Sequence, residues 1–226
     1  MKNNSTLLLI ASLSIMLTTG CAVNRTLSYK LIETQTDFTV GTALIAFHDQ
    51  REAVLSGKEK NTFCGHVNST AQIAYNVQTQ DALPLSTEFA KALSTSMNEK
   101  GGKTGYLITE PEWSVDSIIS LMTAKHSPRS LLFTIKDWEI SGIPLFSTIR
   151  YEIRYSMTLS VLNENGVLLA TSATQGSKLK QEGIAVSMKK MQAYSLETLQ
   201  SVIHELLSNK EVTDELIVST EKQNLF

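Results

Sequence analysis

Two thiols, Cys21 and Cys64, and four imidazoles, His48, His66, His126 and His204, are the side chains best suited to nucleophilic or metal chemistry. The histidines are dispersed. Cys64 and His66 could offer two ligands, but two donors fall short of the three or four protein ligands that zinc takes. With only Gly65 between them, thiol and imidazole are poorly spaced to act as nucleophile and base. The chain has no Gly-x-Ser-x-Gly elbow, no phosphate-cradling glycine loop and no His-Glu-x-x-His run. The reading is therefore of a protein with no catalytic set and no metal site, not an enzyme. Two charged groupings remain. Asp49 and Arg51 follow the apolar run TALIAF and project from one face of an extended chain. They read as an ion pair at a strand's end or as a point where a ligand or partner docks. Arg150, Glu152 and Arg154 alternate along a later segment, as a solvated row or a docking row.

Cys21 stands apart because of what precedes it. Leu7 to Leu17 (LLLIASLSIML) form an apolar run of 11 residues behind a short polar start with one lysine. As a helix this run is about 16 Å long, against a hydrocarbon core of about 30 Å. Residues 1–20 thus have the anatomy of a signal peptide rather than of a membrane span. The run ends in LTTGC, which resembles the bacterial lipobox, where cleavage falls between the small residue, here Gly20, and the cysteine. The usual leucine three places before the cysteine is Thr18 here. The resemblance implies a covalent diacylglycerol and an N-acyl chain on Cys21, with no other cofactor. Several acyl chains, at about 0.8 kcal/mol per buried methylene, hold a protein on a membrane stably. Ala22 rather than aspartate after the cysteine points to the outer membrane, facing the periplasm. Cys64 is then the one remaining thiol, either buried and inert or paired between molecules.

The elements that would position these residues follow from periodicity. Residues 21–39 are polar and read as a lipid-anchored tether, although Tyr29 and Leu31 would also suit an edge strand. Thr42 to Phe47, apolar on both faces, predicts a central strand. Residues 48–82 form a long excursion in which Ile73, Tyr75 and Val77 alternate. Leu85, Phe89, Ala92, Leu93 and Met97 line one face of a helix ended by Gly101-Gly102. Tyr106 to Ile108 suggest a short strand, and Ser114 caps a second helix. Leu131, Phe133 and Ile135 alternate, and the parity changes before Trp138 and Ile140, the mark of a β-bulge. Ile149 to Val161 is apolar at every odd position and polar between, and Asn165-Gly166 turns it back as a hairpin. A last helix spans about 186–207. The order β-α-β-α-β-β-β-α predicts an α+β fold, a mainly antiparallel sheet with helices packed on one face. It forms one periplasmic domain over residues 40–217 with a polar tail at 218–226.

Composition restricts function further. At 42% hydrophobic, 19% charged and a net charge of −2, the chain is an ordinary globular one with no basic excess to attract nucleic acid. The lipobox, the strand running into Asp49-x-Arg51, the helix ending at Gly101-Gly102 and the Tyr-rich strand turning at Asn165-Gly166 together resemble the YajG-type envelope lipoproteins. That resemblance implies a non-enzymatic periplasmic module and carries no catalytic residues over. The expectation is a lipid-anchored interaction or scaffold protein, an accessory subunit of a cell-envelope complex, with a membrane and an envelope protein as partners. The alternative is an accessory lipoprotein that binds lipid or lipopolysaccharide for a transporter, which needs an apolar groove between helices and sheet.

Overall fold

The computed structural model describes residues 25–30 and 42–223. Gly20 and Cys21, with the rest of the signal segment, lie outside the described residues. Along the chain come β1 (Thr26–Leu27), β2 (Thr42–Asp49), α1 (Glu52–Leu55), β3 (Phe63–Asn68) and β4 (Ala74–Thr79). Then follow α2 (Leu85–Glu99), β5 (Lys103–Leu107), α3 (Val115–Thr123) and β6 (Arg129–Pro144). β7 (Ile149–Asn163), β8 (Leu168–Glu182), α4 (Met188–Leu207) and α5 (Lys210–Gln223) complete it.

The predicted mainly antiparallel sheet with helices on one face is corrected on both counts. Among the described residues eight strands form one mixed sheet, mostly parallel by pairing, and six of them curl into a half-barrel. β2 lies parallel to both β5 and β6, β3 is parallel to β6, and β1 is parallel to β4. The antiparallel pairs are β3 with β4, β6 with β7, and β7 with β8. Parallel neighbours need crossovers, and helices supply them. α2 carries the chain from the β2 region to β5, and α3 from β5 to β6. They lie on opposite faces. Ala43, Ile45 and Phe47 of β2 join Phe89 and Leu93 of α2 in the main core. Leu44 and Ala46 meet Ile118 and Met122 of α3 in a second cluster. A strand apolar on both faces was the visible sign of this two-sided cover.

The main core holds an aromatic group at the middle of the sheet. Phe47 stacks on Phe133 at 4.4 Å between centroids, and Phe89 meets Phe47 and Trp138 edge-on. α4 packs on the same face over β7 and β8, burying Met191, Leu199, Val202 and Leu206. Its start is capped by Ser187, whose Oγ accepts from Lys190 N at 3.4 Å, and Ser114 caps α3 in the same way.

Within the segment read as tether, Leu27 and Tyr29 are fully buried. Tyr29 Oη lies 2.7 Å from Ser195 Oγ on α4 and accepts from Trp138 Nε1 at 3.2 Å. This ties the start of the domain to its last helical layer. At the other end α5 runs through the 217/218 boundary, with Val212 and Leu216 buried against the core.

Candidate functional site: a charged groove on the outer face of the sheet

β6 changes partner along its length, and this sets up the site. Its first half, Arg129–Ile135, pairs with β2, and Ile140–Gly142 pair with β3. Between them, at Ile135/Asp137, sits the bulge that the sequence announced. The extra residue turns Asp137, Glu139 and Ser141 to the outer face and sends Trp138 and Ile140 into the core.

Asp49 is the last residue of β2 in register with β6, opposite Ile135, and Arg51 follows two residues on, where β6 passes from β2 to β3. The guanidinium grips Asp49 through two bonds, Nε to Oδ1 at 2.8 Å and Nη2 to Oδ2 at 2.7 Å. Nη1 donates to the carbonyls of Phe63 (2.7 Å) and Trp138 (3.1 Å). Asp49 and Arg51 are 1% and 5% exposed. The two charges satisfy each other, and Arg51 also satisfies the backbone of β3 and β6, as buried charges require. Arg51 borders the outer-face groove as well.

Arg150, Glu152 and Arg154 of β7 do lie together on the outer face, and Arg154 is exposed. Opposite Arg154 in the ladder stands Glu139, and Arg154 Nη2 bonds to Glu139 Oε2. Arg154 Nε also lies 3.8 Å from Asp137 Oδ2. His66 of β3 completes the group from the other side, its Nδ1 2.8 Å from Glu139 Oε1. The hydrogen bond from His66, opposed by burial and helped by Arg154, holds the Glu139 carboxyl below its ordinary range. The row borders a groove of about 550 Å³ that Glu52, Lys58, Lys136, Asp137, Glu139 and Arg154 line. Smaller hollows around His66 adjoin it.

Sequence reasoning weighed His66 only beside Cys64, and it missed Asp137 and Glu139. The parity change after Ile135 held the signal for the last two, since it puts odd residues outward beyond the bulge. Nothing local signalled His66, whose neighbour comes from 73 residues further along. Cys64 faces the other way. It is fully buried, and desolvation pushes its thiol up to about 12. A thiol so far from ionising is inert.

His48, at the end of β2, is fully buried with Nδ1 unpartnered and Nε2 within 2.8 Å of Gln50 Nε2. Burial lowers its pKa below 6.5, so the unfolded chain takes up a proton that the folded one resists. The unfolded state then binds more protons below that value, and stability falls with pH. Urea unfolding is expected to show a loss of stability as pH drops from about 7.5 to 5.5, with a shallower loss in His48→Gln.

No protein-family model and no curated protein sequence matches the chain. Among solved structures it is distantly similar to a neuraminyllactose-binding hemagglutinin homolog from Helicobacter pylori, at 11% identity and TM-score 0.40, covering 84% of this chain and 94% of that one. It is similar to PelC from Paraburkholderia phytofirmans, crystallised as a dodecamer, at 10% identity and TM-score 0.37, covering 77% and 94%. Lipoprotein GNA1162 from Neisseria meningitidis aligns at 10% identity and TM-score 0.27, covering 71% and 99%. These likenesses to bacterial proteins, a lipoprotein among them, are distant in both sequence and shape, and the functional reading rests on this chain's own residues.

Proposed function

We propose that the chain is a lipid-anchored, non-enzymatic interaction protein of the bacterial envelope. It is held by acyl chains on Cys21 at the outer membrane and faces the periplasm. Its protein partner docks on the outer face of the sheet. The observation that carries this reading is the groove of about 550 Å³ edged by side chains of both signs, Lys58, Lys136, Asp137, Glu139 and Arg154. Mixed half-exposed charge of this kind fixes the register of a partner and speeds its capture more than it stabilises the fold. A lipid carrier draws less support. The layer between helices and sheet is filled by Phe47, Phe89, Phe133 and Trp138. The hollows beside α4 and α2 measure about 140 and 200 Å³, below the roughly 300–1,000 Å³ of ordinary ligand pockets.

The test is charge reversal. Arg154→Glu in the affinity-tagged, full-length chain is expected to leave the circular dichroism spectrum and melting temperature nearly unchanged. It should lower the amount of the partner that copurifies from solubilised membranes at least about tenfold, equivalent to 1.4 kcal/mol. The same proteins recovered in the same amounts would count against the groove as the docking site.

A further inference from the structure

One end of the sheet gathers exposed apolar residues from three separate segments. The turn between β6 and β7 carries Leu145 and Phe146, the latter with its ring wholly in solvent. Ile149 N donates to Gly183 O at 3.2 Å, which sets the segment after β8 beside this turn. The next residue there, Ile184, is 91% exposed. On the other flank Gln72 Nε2 donates to Pro144 O at 3.2 Å, and the exposed Ile73 follows. Isolated exposed apolar residues are common, but a cluster assembled from three loops marks a contact surface.

The path of the chain indicates what that surface meets. β4 begins at this end with Ala74, and β1 runs parallel to it, Thr26 opposite Gln78. The N-terminal end of β1 therefore points toward the apolar tip, and the Arg25 guanidinium lies 3.8 Å from the centre of the Tyr75 ring. Cys21 precedes Arg25 by four residues, a reach of at most about 14 Å. Gln78 N bonds to Arg25 O, so Arg25 is about level with Val77. From that level up β4 to Ile73 is roughly 13 Å at one strand rise per residue. A lipid on Cys21 thus holds the domain with its apolar tip end at the bilayer.

We propose that Leu145, Phe146 and Ile184, flanked by Ile73, form a membrane-contacting tip. It dips into the headgroup region of the bilayer that holds the acyl chains of Cys21. This rests on the anchoring reading above and adds an orientation to it. The long strands β6, β7 and β8 rise from the membrane, the charged groove opens sideways, and the Asn165-Gly166 turn stands roughly 45 Å away along β7.

The test uses the full-length chain purified from membranes and placed in vesicles of phosphatidylethanolamine and phosphatidylglycerol, with and without bromine on the acyl chains. Phe146→Trp places a reporter at the tip, and Val167→Trp places one at the far end, where Val167 is also exposed. The parent emission of Trp113 and Trp138 serves as the baseline. Insertion to a depth of about 5–10 Å predicts that bromine lowers the added emission of Phe146→Trp about twofold or more and leaves that of Val167→Trp unchanged. Equal quenching at the two positions, or none at Phe146→Trp, overturns the orientation. The intact mass of the same sample separates the two failures. With acyl mass on Cys21 and no quenching at the tip, the orientation alone falls. Without acyl mass and without quenching, the anchoring reading falls with it.

Discussion

Arg51→Ala is expected to destabilise the domain by about 3–5 kcal/mol, the cost of removing one partner from a buried ion pair. The substitution leaves Asp49 charged at 1% exposure. It also orphans the carbonyls of Phe63 and Trp138, which Nη1 now satisfies. Those carbonyls lie where β6 passes from β2 to β3, so the loss should loosen the junction of the two halves of the sheet. Arg51→Lys should recover little, because an ammonium cannot grip the carboxylate with two bonds and reach two carbonyls at once. Urea denaturation of Arg51→Ala, Asp49→Ala and the double variant checks the argument. The double variant should cost clearly less than the sum of the singles, because it leaves no unpaired charge. A cost under about 1 kcal/mol for Arg51→Ala would mean that the pair behaves as a surface bridge and does not hold the junction.

Gly65→Ala is expected to be nearly as damaging, by about 3 kcal/mol or more. A Cβ at this position would stand 1.8 Å from the Ile140 carbonyl oxygen and 2.6 Å from its nitrogen. The obstacle is strand backbone, which cannot swing aside. Relief requires β3 to move away from β6, undoing the pairing of Gly65, His66 and Val67 with Ile140, Ser141 and Gly142. His66 would leave Glu139 in the same movement, so the variant should lose the charged groove along with stability. Gly57→Ala provides the comparison. Gly57 also has a positive φ, +72°, but nothing lies within 4 Å of its added Cβ, so only conformational strain of about 1 kcal/mol remains. Thermal unfolding should rank Gly65→Ala far below Gly57→Ala. Equal melting temperatures would show that β3 does not need so close an approach to β6.

The elements that build their pattern from neighbouring residues were legible in the chain. The odd-even alternation of β7, the turn at Asn165-Gly166, the bulge after Ile135 and the cap at Ser114 are all local. What was not legible depends on partners distant in sequence. Parallel register between β2, β3 and β6 leaves no mark in any one strand, so the sheet was read as mainly antiparallel. β3 was missed because Gly65 interrupts its alternation, although that glycine is what lets the strand approach β6. Asp49 and Arg51 were correctly grouped by spacing. Their burial follows from carbonyls 12 and 87 residues away from Arg51, which no window of sequence contains. The outer-face row was half visible. Arg150, Glu152 and Arg154 stood out by alternation, whereas Asp137, Glu139 and His66 joined them only through the ladder and the β3–β6 pairing.

The central claim, that this anchored domain recruits an envelope protein through its outer sheet face, is tested most directly by photocrosslinking in living cells. A photoreactive amino acid would replace Lys58 or Lys136 beside the groove, or the exposed Lys91 on α2 across the sheet. The account predicts one envelope protein crosslinked from both groove positions, absent from the Lys91 position, and lost when Arg154→Glu is added. Crosslinks that form equally from Lys91, or recovery of bound lipid with no protein partner from any position, would contradict it.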